Sequence, residues 1–589
     1  MEIGYNVFMN TILTTLNAKY IHSSLALRNL KAYCQTAYPN IVLLEFTIND
    51  PLDSIISVLA AHQPDLLGFS CYIWNIRPTL DIIDSIKKVL PECMILLGGP
   101  EVSYNGAEIM KDNSLIDFIV TGEGEQSFHE LLDSLVQERS LESVDGLIWR
   151  KDSEVMQNCD RNPILLDSIP FAYEGGIQSL QNKIIYYETS RGCPFQCQYC
   201  LSSAIGRVRF LQLERVKKEL FWFVRSGVKQ VKLVDRTFNC SPSRAKELFE
   251  YLIQLGGSTN FHFEMAGDLI DEEMLEILKT APAGMFQFEI GVQSTNEDTL
   301  NAIQRKTDIN KIEYAVSQLI NMDNIHIHLD LIVGLPEENL ESLAQSINRT
   351  LSLKPHKLQL GFLKLLRGTG LREESQKYNY RYTSYPPYEV LSNHVLSFSD
   401  LSLAKKLEEL LELYYNSHRF EKTLAYLASK KNLNYFAVFA EFVDYWERNE
   451  YFQLSHSYIS LYEYLLDYVS TLNNMDEELF HQLLCFDFVR YEKPGKYPKG
   501  LEPLKETSRK CRARLYDFLR LEKNLGRFLP EWKGYTPKQI LRWVHVEVFD
   551  YPLHQAGDLR YDKKRTVILF DYLHRQGVKN QSKISVINI

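Results

Sequence analysis

The sequence has no long apolar run and few cysteines for its length. No window of the 589 residues approaches the roughly 18 consecutive apolar residues that a membrane-spanning helix needs. The first residues lack the basic and apolar pattern of a signal peptide. Ten cysteines in so long a chain do not form a disulfide scaffold. We therefore expect a cytoplasmic protein with reduced thiols and no membrane partner.

An excess of basic residues is also absent. Lysine and arginine number 65 against 75 aspartates and glutamates, which gives a formal net charge of −10. This balance argues against binding to nucleic acid or to an anionic membrane. The remaining composition, with 45% hydrophobic and 24% charged residues, is that of an ordinary globular protein, and the length predicts about three or four domains.

One short stretch carries three of the ten cysteines. Cys193, Cys197 and Cys200 form a C-x3-C-x2-C motif. The apolar and aromatic run before them predicts a strand over residues 183–188, so the cysteines fall on the loop that follows it. Thiolates bind iron–sulfur clusters and zinc, and a structural zinc site needs a fourth ligand. The next cysteine, Cys240, lies in a separate strand–loop unit. The spacing favours a cluster with one open iron, and a zinc site or three unrelated buried cysteines are the alternatives.

Residues 1–140 alternate between strand-like and helix-like segments. The predicted strands cover residues 6–13, 41–46, 66–70, 94–99 and 118–120. This alternation is typical of an α/β fold with an open, Rossmann-like parallel sheet and helices on both faces. Ligands bind such sheets at the carboxyl ends of the strands. A dinucleotide site is the rival interpretation, but no Gly-x-Gly-x-x-Gly opens the first helix.

The loops that follow these strands are polar and rich in glycine. One Gly-Gly pair is weak evidence, because such turns are usually only turns, but four loops at one sheet edge are stronger evidence for a ligand. The candidate binding residues in them are Asn17, Ser70, Tyr72, Gly98, Gly99, Glu101, Gly122, Glu123, Gly124 and Glu125.

Residues 183–400 contain a second series of alternating strands and helices. Six strand–helix units predict a partial (β/α)6 barrel with its active site at the carboxyl ends of the strands. Glu289 lies in an apolar strand, where an unpaired carboxylate is costly to bury, so it is predicted to bind a ligand or form an ion pair. His326 and His328 share one strand face and are interpreted as buried, satisfied histidines. Asp330 is on the same face and could orient either one.

The rest of the chain shows no catalytic constellation. Residues 141–182 predict a hairpin and then an extended, proline-punctuated linker. Residues 401–589 predict a mainly helical domain that ends in a strand pair, with a basic run at 560–565 interpreted as a solvated turn. We expect this domain to cap the barrel mouth and shape the substrate pocket.

The cysteine motif, with Tyr199 just before its third cysteine, resembles the radical S-adenosylmethionine (SAM) enzymes. The resemblance implies that Cys193, Cys197 and Cys200 hold a 4Fe–4S cluster whose open iron chelates the amino and carboxylate groups of SAM. Reduction by a partner such as flavodoxin or ferredoxin would then release a 5′-deoxyadenosyl radical. It also implies an anaerobic or low-oxygen setting, because an exposed cluster is oxygen-sensitive.

The same resemblance assigns roles along the predicted barrel. Asp235 stands where the family has a Gly-Gly-Glu strand end that meets the SAM amino group, although those letters are absent here. Glu289, Gln293 and Ser294 match residues that face the ribose and carboxylate of SAM. Gly334 lies in the segment that flanks adenine, and Leu363 lies at the end of the sixth strand. Tyr199 is expected to pack on the adenine side.

The N-terminal loops resemble the cobalamin-binding domain of a large radical SAM subclass. The Gly-Gly pair at 98–99 and the Gly-Glu-Gly-Glu run at 122–125 match its patterns. The Asp-x-His-x-x-Gly motif is missing around His22, where Tyr20 and Leu25 occupy the Asp and Gly positions. The resemblance therefore implies cobalamin without a histidine on cobalt. A domain that has lost its corrinoid stays open.

The resemblance as a whole implies C-methylation of an unactivated carbon in an unidentified small molecule or peptide. Oxidation or cyclisation without methyl transfer, and a non-catalytic corrinoid or redox sensor, are the alternatives. No general acid–base pair is evident. The C-terminal third is similar to the helical extension of a bacterial group of cobalamin-type radical SAM proteins.

Overall fold

The computed structural model describes residues 9–473, 475–503, 505–555 and 561–588. The start of the predicted first strand, residues 6–8, and Arg560 of the basic run lie outside these ranges. Within them, no helix is both long enough and apolar enough to cross a membrane.

The N-terminal sheet has seven strands in the order β2-β1-β3-β4-β5-β6-β7. Its strands are β1 (Thr11–Asn17), β2 (Val42–Thr47), β3 (Leu66–Ser70), β4 (Met94–Gly98), β5 (Phe118–Val120), β6 (Leu147–Lys151) and β7 (Glu154–Gln157). The first five are parallel, whereas β6 and β7 pair antiparallel at one edge. The hairpin predicted in the linker is thus part of this sheet, which extends beyond residue 140.

Helices cover both faces of this sheet, and a separate apolar core lies on each face. They are α1 (Leu25–Cys34), α2 (Leu52–Ala61), α3 (Ile76–Val89), α4 (Pro100–Ser103), α5 (Gly106–Asp112) and α6 (Gly124–Val136). Strand β3 is buried along its whole length, as expected for a parallel strand covered on both sides. The predicted Rossmann-like layer is confirmed.

The central region is a parallel sheet of six strands in the order β15-β14-β13-β12-β11-β8. Its strands are β8 (Ile185–Tyr187), β11 (Gln230–Leu233), β12 (Asn260–Met265), β13 (Phe286–Gln293), β14 (His326–Val333) and β15 (Lys357–Phe362), and a short pair, β9 (Ser190–Arg191) and β10 (Arg209–Phe210), follows β8. The helices are α7 (Leu213–Arg225), α8 (Pro242–Leu255), α9 (Glu272–Lys279), α10 (Glu297–Ala302), α11 (Ile309–Met322), α12 (Leu340–Ser352) and α13 (Gly370–Glu373). The predicted partial barrel of six units is confirmed.

The C-terminal region is mainly helical and shares one apolar core with the barrel. It follows a short pair, β16 (Arg381–Tyr382) and β17 (Val390–Ser392). Its helices are α14 (Phe398–Leu410), α15 (Glu421–Ser429), α16 (Tyr435–Arg448), α17 (Tyr458–Ser470), α18 (Glu477–Tyr491), α19 (Lys505–Arg520), α20 (Glu522–Phe528) and α21 (Pro537–Ile540). The final sheet has three strands, β18 (Val544–Phe549), β19 (Thr566–Gln576) and β20 (Gln581–Ile587), where the sequence predicted two.

The helices after residue 401 contact the amino-terminal ends of the barrel strands. Asn416 exchanges two hydrogen bonds with the backbone of Leu358 at the start of β15, at 3.0 and 2.9 Å. The hydroxyl of Tyr415 donates to the carbonyl of Pro355 at 2.9 Å. These contacts lie at the end opposite the predicted active site, whereas Leu401 of α14 lies beside Gly334 at the carboxyl end of β14. The cap over the barrel mouth therefore stays a prediction. Amphipathic periodicity shows that a helix is buried but not which surface buries it.

Candidate active site

The carboxyl-end loops of the N-terminal sheet meet the barrel. Nδ1 of His22, after β1, lies 2.6 Å from the hydroxyl of Tyr186 on β8. Tyr388 donates a hydrogen bond to Glu101, which follows β4. The ring of Tyr104 also packs against Gly368, because a Cβ at that glycine would lie 2.2 Å from the ring. The edge predicted to bind a ligand therefore faces the second domain.

His22 has a protein partner in this arrangement. Its partner is a tyrosine 164 positions away in the sequence. Burial lowers the pKa of His22. This contact engages Nδ1 and leaves Nε2 without a test, so the description of His22 as a poor cobalt ligand stays a prediction.

Arg191, at the start of the cysteine loop, forms ion pairs that link the two domains. Its guanidinium contacts the carboxylate of Glu125 in the Gly-Glu-Gly-Glu loop and that of Glu188 at the end of β8, with Nε 2.9 Å from Glu188 Oε2. Arg209, which pairs with Arg191 across β9 and β10, binds Glu123 of the same loop. Both glutamates were predicted as cofactor contacts, but in the structure their carboxylates hold the cysteine loop. With these carboxylates engaged, the backbone of residues 122–125 is the part of the loop available to contact a cofactor.

The three cysteines of the motif are all free thiols. Cys197 is buried, and Cys193 and Cys200 are partly exposed. Cys193 Sγ lies 3.7 Å from Thr237 Oγ1, and Cys197 Sγ lies 3.8 Å from Arg305 Nη1. Among the described residues, no three His, Cys, Asp or Glu side chains converge closely enough to hold a metal ion. In number, in chemistry and in their position on one loop, the three thiols fit an iron–sulfur cluster.

Asp235, predicted to meet the SAM amino group, is engaged by the segment that leads into the cysteine loop. Its carboxylate accepts the backbone N–H of Thr189 at 2.9 Å and the Thr189 hydroxyl at 2.7 Å. The hydroxyl of Ser190 also donates to it. Asp235 is almost fully buried, so the structure gives it a positioning role for this segment.

The other predicted SAM-facing residues divide into two groups. Gln293, Gly334 and Leu363 lie at the carboxyl ends of the adjacent strands β13, β14 and β15 and are brought together. Gln293 has a φ of 70° at a register shift, which turns the chain out of the strand. The carbonyl of Gly334 accepts the Tyr380 hydroxyl at 2.9 Å.

The second group is engaged elsewhere. Glu289 lies within β13 and pairs with Lys232 and His262. Ser294 is fully buried and donates to Glu338 at 2.6 Å, and burial raises the pKa of Glu338 to about 7. Tyr199 is half-buried against the barrel core, and burial raises its pKa.

The remaining N-terminal candidates line one edge of the sheet. Asn17 donates to Glu45 Oε2 at 2.9 Å, and the carbonyl of Ser70 accepts the amide of Asn75 at 2.9 Å. Tyr72 stacks on Trp74 with ring centroids 4.4 Å apart. Trp74 and Tyr104 are each 44% exposed. Exposed aromatic rings grouped at one edge fit a large planar ligand such as a corrin better than solvent.

Gly98 and Gly99 offer a matched test of this edge. Gly99 has φ 106° and ψ 173°, a region open essentially to glycine alone, and a Cβ there would lie 2.6 Å from the Cys71 carbonyl oxygen. We expect Gly99→Ala to lower the free energy of unfolding by about 1–3 kcal/mol from backbone strain alone. The added methyl group should also obstruct the loop after β4, where the ligand is predicted to bind. Urea unfolding and retained corrinoid are the measurements.

Gly98→Ala is the control for that substitution. A Cβ at Gly98 meets the carbonyl oxygen of Val120 at 3.7 Å, an ordinary contact. We expect a change in stability below about 1 kcal/mol. Equal losses for the two variants would contradict a specific requirement at Gly99.

Sequence comparison divides the chain into three consecutive matches. Residues 12–132 match the B12 binding domain, residues 187–350 match the radical SAM superfamily, and residues 376–570 match a protein family of unknown function, DUF4080. The chain is therefore a radical SAM protein with an N-terminal B12-binding domain. Within that class, it is one whose C-terminal third is a DUF4080 domain.

Curated relatives match about half of the chain. The cobalamin-dependent radical SAM methyltransferase TokK of Streptomyces tokunonensis is 29% identical over 50% of this chain and 46% of its own length. The anaerobic magnesium-protoporphyrin IX monomethyl ester cyclase of Synechocystis is 26% identical over 54% of this chain and 66% of its own. The match thus spans less than half of TokK.

Solved structures match more of the fold. The cobalamin-dependent SAM radical enzyme OxsB, with aqua-cobalamin and SAM bound, superposes with a TM-score of 0.57 at 16% identity over 89% of this chain and 84% of its own. The methyltransferase TsrM from Kitasatospora setae, with cobalamin and a 4Fe–4S cluster bound, gives a TM-score of 0.54 at 15% identity over 64% of this chain and 79% of its own. The predicted fold class is confirmed.

Proposed function

We propose that this protein is a cobalamin-dependent radical SAM enzyme that methylates an unactivated carbon of a small molecule. The proposal rests on one observation: the two sheet edges predicted to bind ligands face each other. The carboxyl edge of the B12-binding sheet and the carboxyl edge of the radical SAM barrel are held together by Arg191, two residues before Cys193. Methyl transfer between the two cofactors needs this adjacency.

The chain's own residues would hold and position the reacting groups. Cys193, Cys197 and Cys200 would hold a 4Fe–4S cluster, and the loops around Gly99 and Gly122 would hold cobalamin. When bound, these groups with SAM supply radical formation and a methyl donor. The protein would contribute orientation and the exclusion of water between the two sheet edges.

The first test is anaerobic reconstitution with iron, sulfide and hydroxocobalamin. We expect stoichiometric corrinoid after desalting, an iron–sulfur absorption band and reductant-dependent cleavage of SAM to 5′-deoxyadenosine. A cluster without retained corrinoid would contradict methyl transfer, and a corrinoid without SAM cleavage would point to a sensor. Flavodoxin or ferredoxin is the proposed reductant.

The cyclases among the relatives favour one second candidate, oxidation or ring closure without methyl transfer. The mass of the product separates the two reactions. Incorporation of the labelled methyl group of SAM supports methylation, whereas loss of hydrogen without label supports the cyclase-type reaction.

A further inference from the structure

The inner face of the barrel carries an ionisable cluster away from the cysteine loop. Along β13 the side chains alternate strictly between buried and half-buried, so one face enters the apolar core and the other lines the lumen. The register then places six groups on the lumen face of β11 to β14. This lumen cluster consists of Lys232, His262, Glu264, Glu289, His328 and Asp330.

Four of the six groups of the lumen cluster contact one another. Glu289 Oε2 lies 3.0 Å from Lys232 Nζ and 2.9 Å from His262 Nε2. Burial raises the pKa of Glu289, but the contacts with His262 and Lys232 outweigh it and lower that pKa to about 2. Glu264 lies 4.0 Å from the same lysine. Lys232 therefore forms its ion pair with Glu289.

The remaining two groups, His328 and Asp330, have buried polar atoms without a hydrogen-bond partner among the described residues. Both ring nitrogens of His328 and Oδ1 of Asp330 are buried without a hydrogen bond, and His328 is only 9% exposed. The sequence-based interpretation of His328 as a satisfied histidine was therefore wrong. Leaving a buried polar group without a hydrogen bond destabilises the fold, and native proteins rarely keep one without a reason.

A nearby histidine, His356, is buried and does have a hydrogen-bond partner. Nδ1 of His356 accepts the backbone N–H of Ile327 at 3.0 Å, and its side chain is almost fully buried. Ile327 directly precedes His328 on β14. The two histidines thus differ in hydrogen bonding within one small region.

We propose that the lumen cluster binds an aliphatic ammonium group of the substrate, a step that rests on the proposed function. The lumen cluster holds three carboxyl groups against one lysine, and that lysine is already paired. An ammonium offers three donors to the oxygen of Asp330, to the acceptor nitrogen of His328 and to Glu264. Two further cations face the cluster. Arg236 acts on Glu264, and Lys357, which is paired in register with His328, has its Nζ 3.4 Å from Glu412 Oε2.

The position of the site suits substrate binding. Asp330 is paired in register with Gly291, two residues before Gln293 at the carboxyl end of β13. Gly361 on β15 meets only a backbone oxygen at 3.6 Å, which leaves space on that side of the lumen, whereas the Gln293 side chain covers Gly291 on the other side. An amine held at this depth leaves the neighbouring carbon atoms at the barrel mouth, beside the cysteine loop.

Stability separates a binding role from a structural one. Because His328 has no hydrogen bond to lose, we expect His328→Leu to raise the melting temperature of the full chain by about 1–2 °C. The matched variant His356→Leu should lower it, because the N–H of Ile327 is left unpaired. A fall for His328→Leu similar to that of His356→Leu would overturn the proposal.

Binding of small probes tests the chemical class. On the reconstituted, SAM-loaded chain, saturation-transfer NMR should detect butylamine in preference to butanol and butyrate. Asp330→Asn should weaken butylamine at least tenfold, while the surface variant Glu276→Gln leaves it unchanged. No preference for the amine, or equal binding by Asp330→Asn, would overturn the proposal.

SAM itself carries an ammonium and must be distinguished from the substrate. We expect Asp330→Asn to bind SAM as tightly as the wild type, and a weaker affinity would assign the lumen cluster to SAM and overturn the proposal. Formation of 5′-deoxyadenosine in the absence of a substrate tests the proposed function and does not depend on the lumen site. Its absence alongside intact amine binding would contradict the enzyme assignment and not the lumen site.

Discussion

Replacing Cys197 with serine is expected to abolish the iron–sulfur cluster and the cleavage of SAM. Of the three thiols on the loop, Cys197 is the buried one, and it lies beside the guanidinium of Arg305. Changes outside the ligand shell cost about 10–100-fold in metal affinity, so loss of a ligand should exceed about 100-fold. Iron and sulfide content and the yield of 5′-deoxyadenosine after anaerobic reconstitution are the measurements.

Cys240→Ser is the matched control for the cluster loop. Cys240 is a partly buried free thiol close enough to Cys193 for their charges to interact, and burial raises its pKa to about 11. It lies outside the C-x3-C-x2-C motif, so iron content and SAM cleavage should not change. Loss of iron in this variant would make Cys240 a fourth ligand and revive the zinc-type interpretation.

The architecture could be predicted from the sequence because strands and helices have local patterns of apolar residues. Strand β3 reads as a continuous apolar run, and β13 alternates with a period of two residues. In parallel sheets the loops after the strands share one edge, so Gly99, Gly122 and Tyr72 could be grouped without coordinates. Strand β20 escaped prediction because its exposed and half-buried residues give no clear alternation.

The partners of the site residues could not be predicted in the same way. Glu125 binds Arg191, 66 positions away, and Glu101 binds Tyr388, 287 positions away. Periodicity carries no information about such contacts, so glutamates that hold the cysteine loop resemble cofactor ligands in the sequence. His328 was misread for a related reason, because a pattern of alternation cannot tell an apolar core from a polar lumen.

Replacing Arg191 with methionine is expected to uncouple the B12-binding domain from the barrel. The side chain of Arg191 is 16% exposed and that of Glu125 is 6% exposed. Removing one partner of a buried ion pair leaves an uncompensated charge, which costs about 3–5 kcal/mol. Glu125 and Glu188 would then repel each other beside the cysteine loop. We expect a lower urea midpoint and the loss of bound corrinoid before that of iron.

Two further variants isolate this effect. Glu125→Gln in the Arg191→Met background removes one of the two uncompensated charges, so it should recover part of the stability, as coupled neighbours do in a double-mutant cycle. Lys88→Met breaks the exposed pair with Asp84 and should cost less than about 1 kcal/mol. If Arg191→Met cost no more than Lys88→Met, the charge network could not be what holds the two sheet edges together. The adjacency of the two cofactor sites would then depend on apolar contacts such as that of Tyr104 with Gly368.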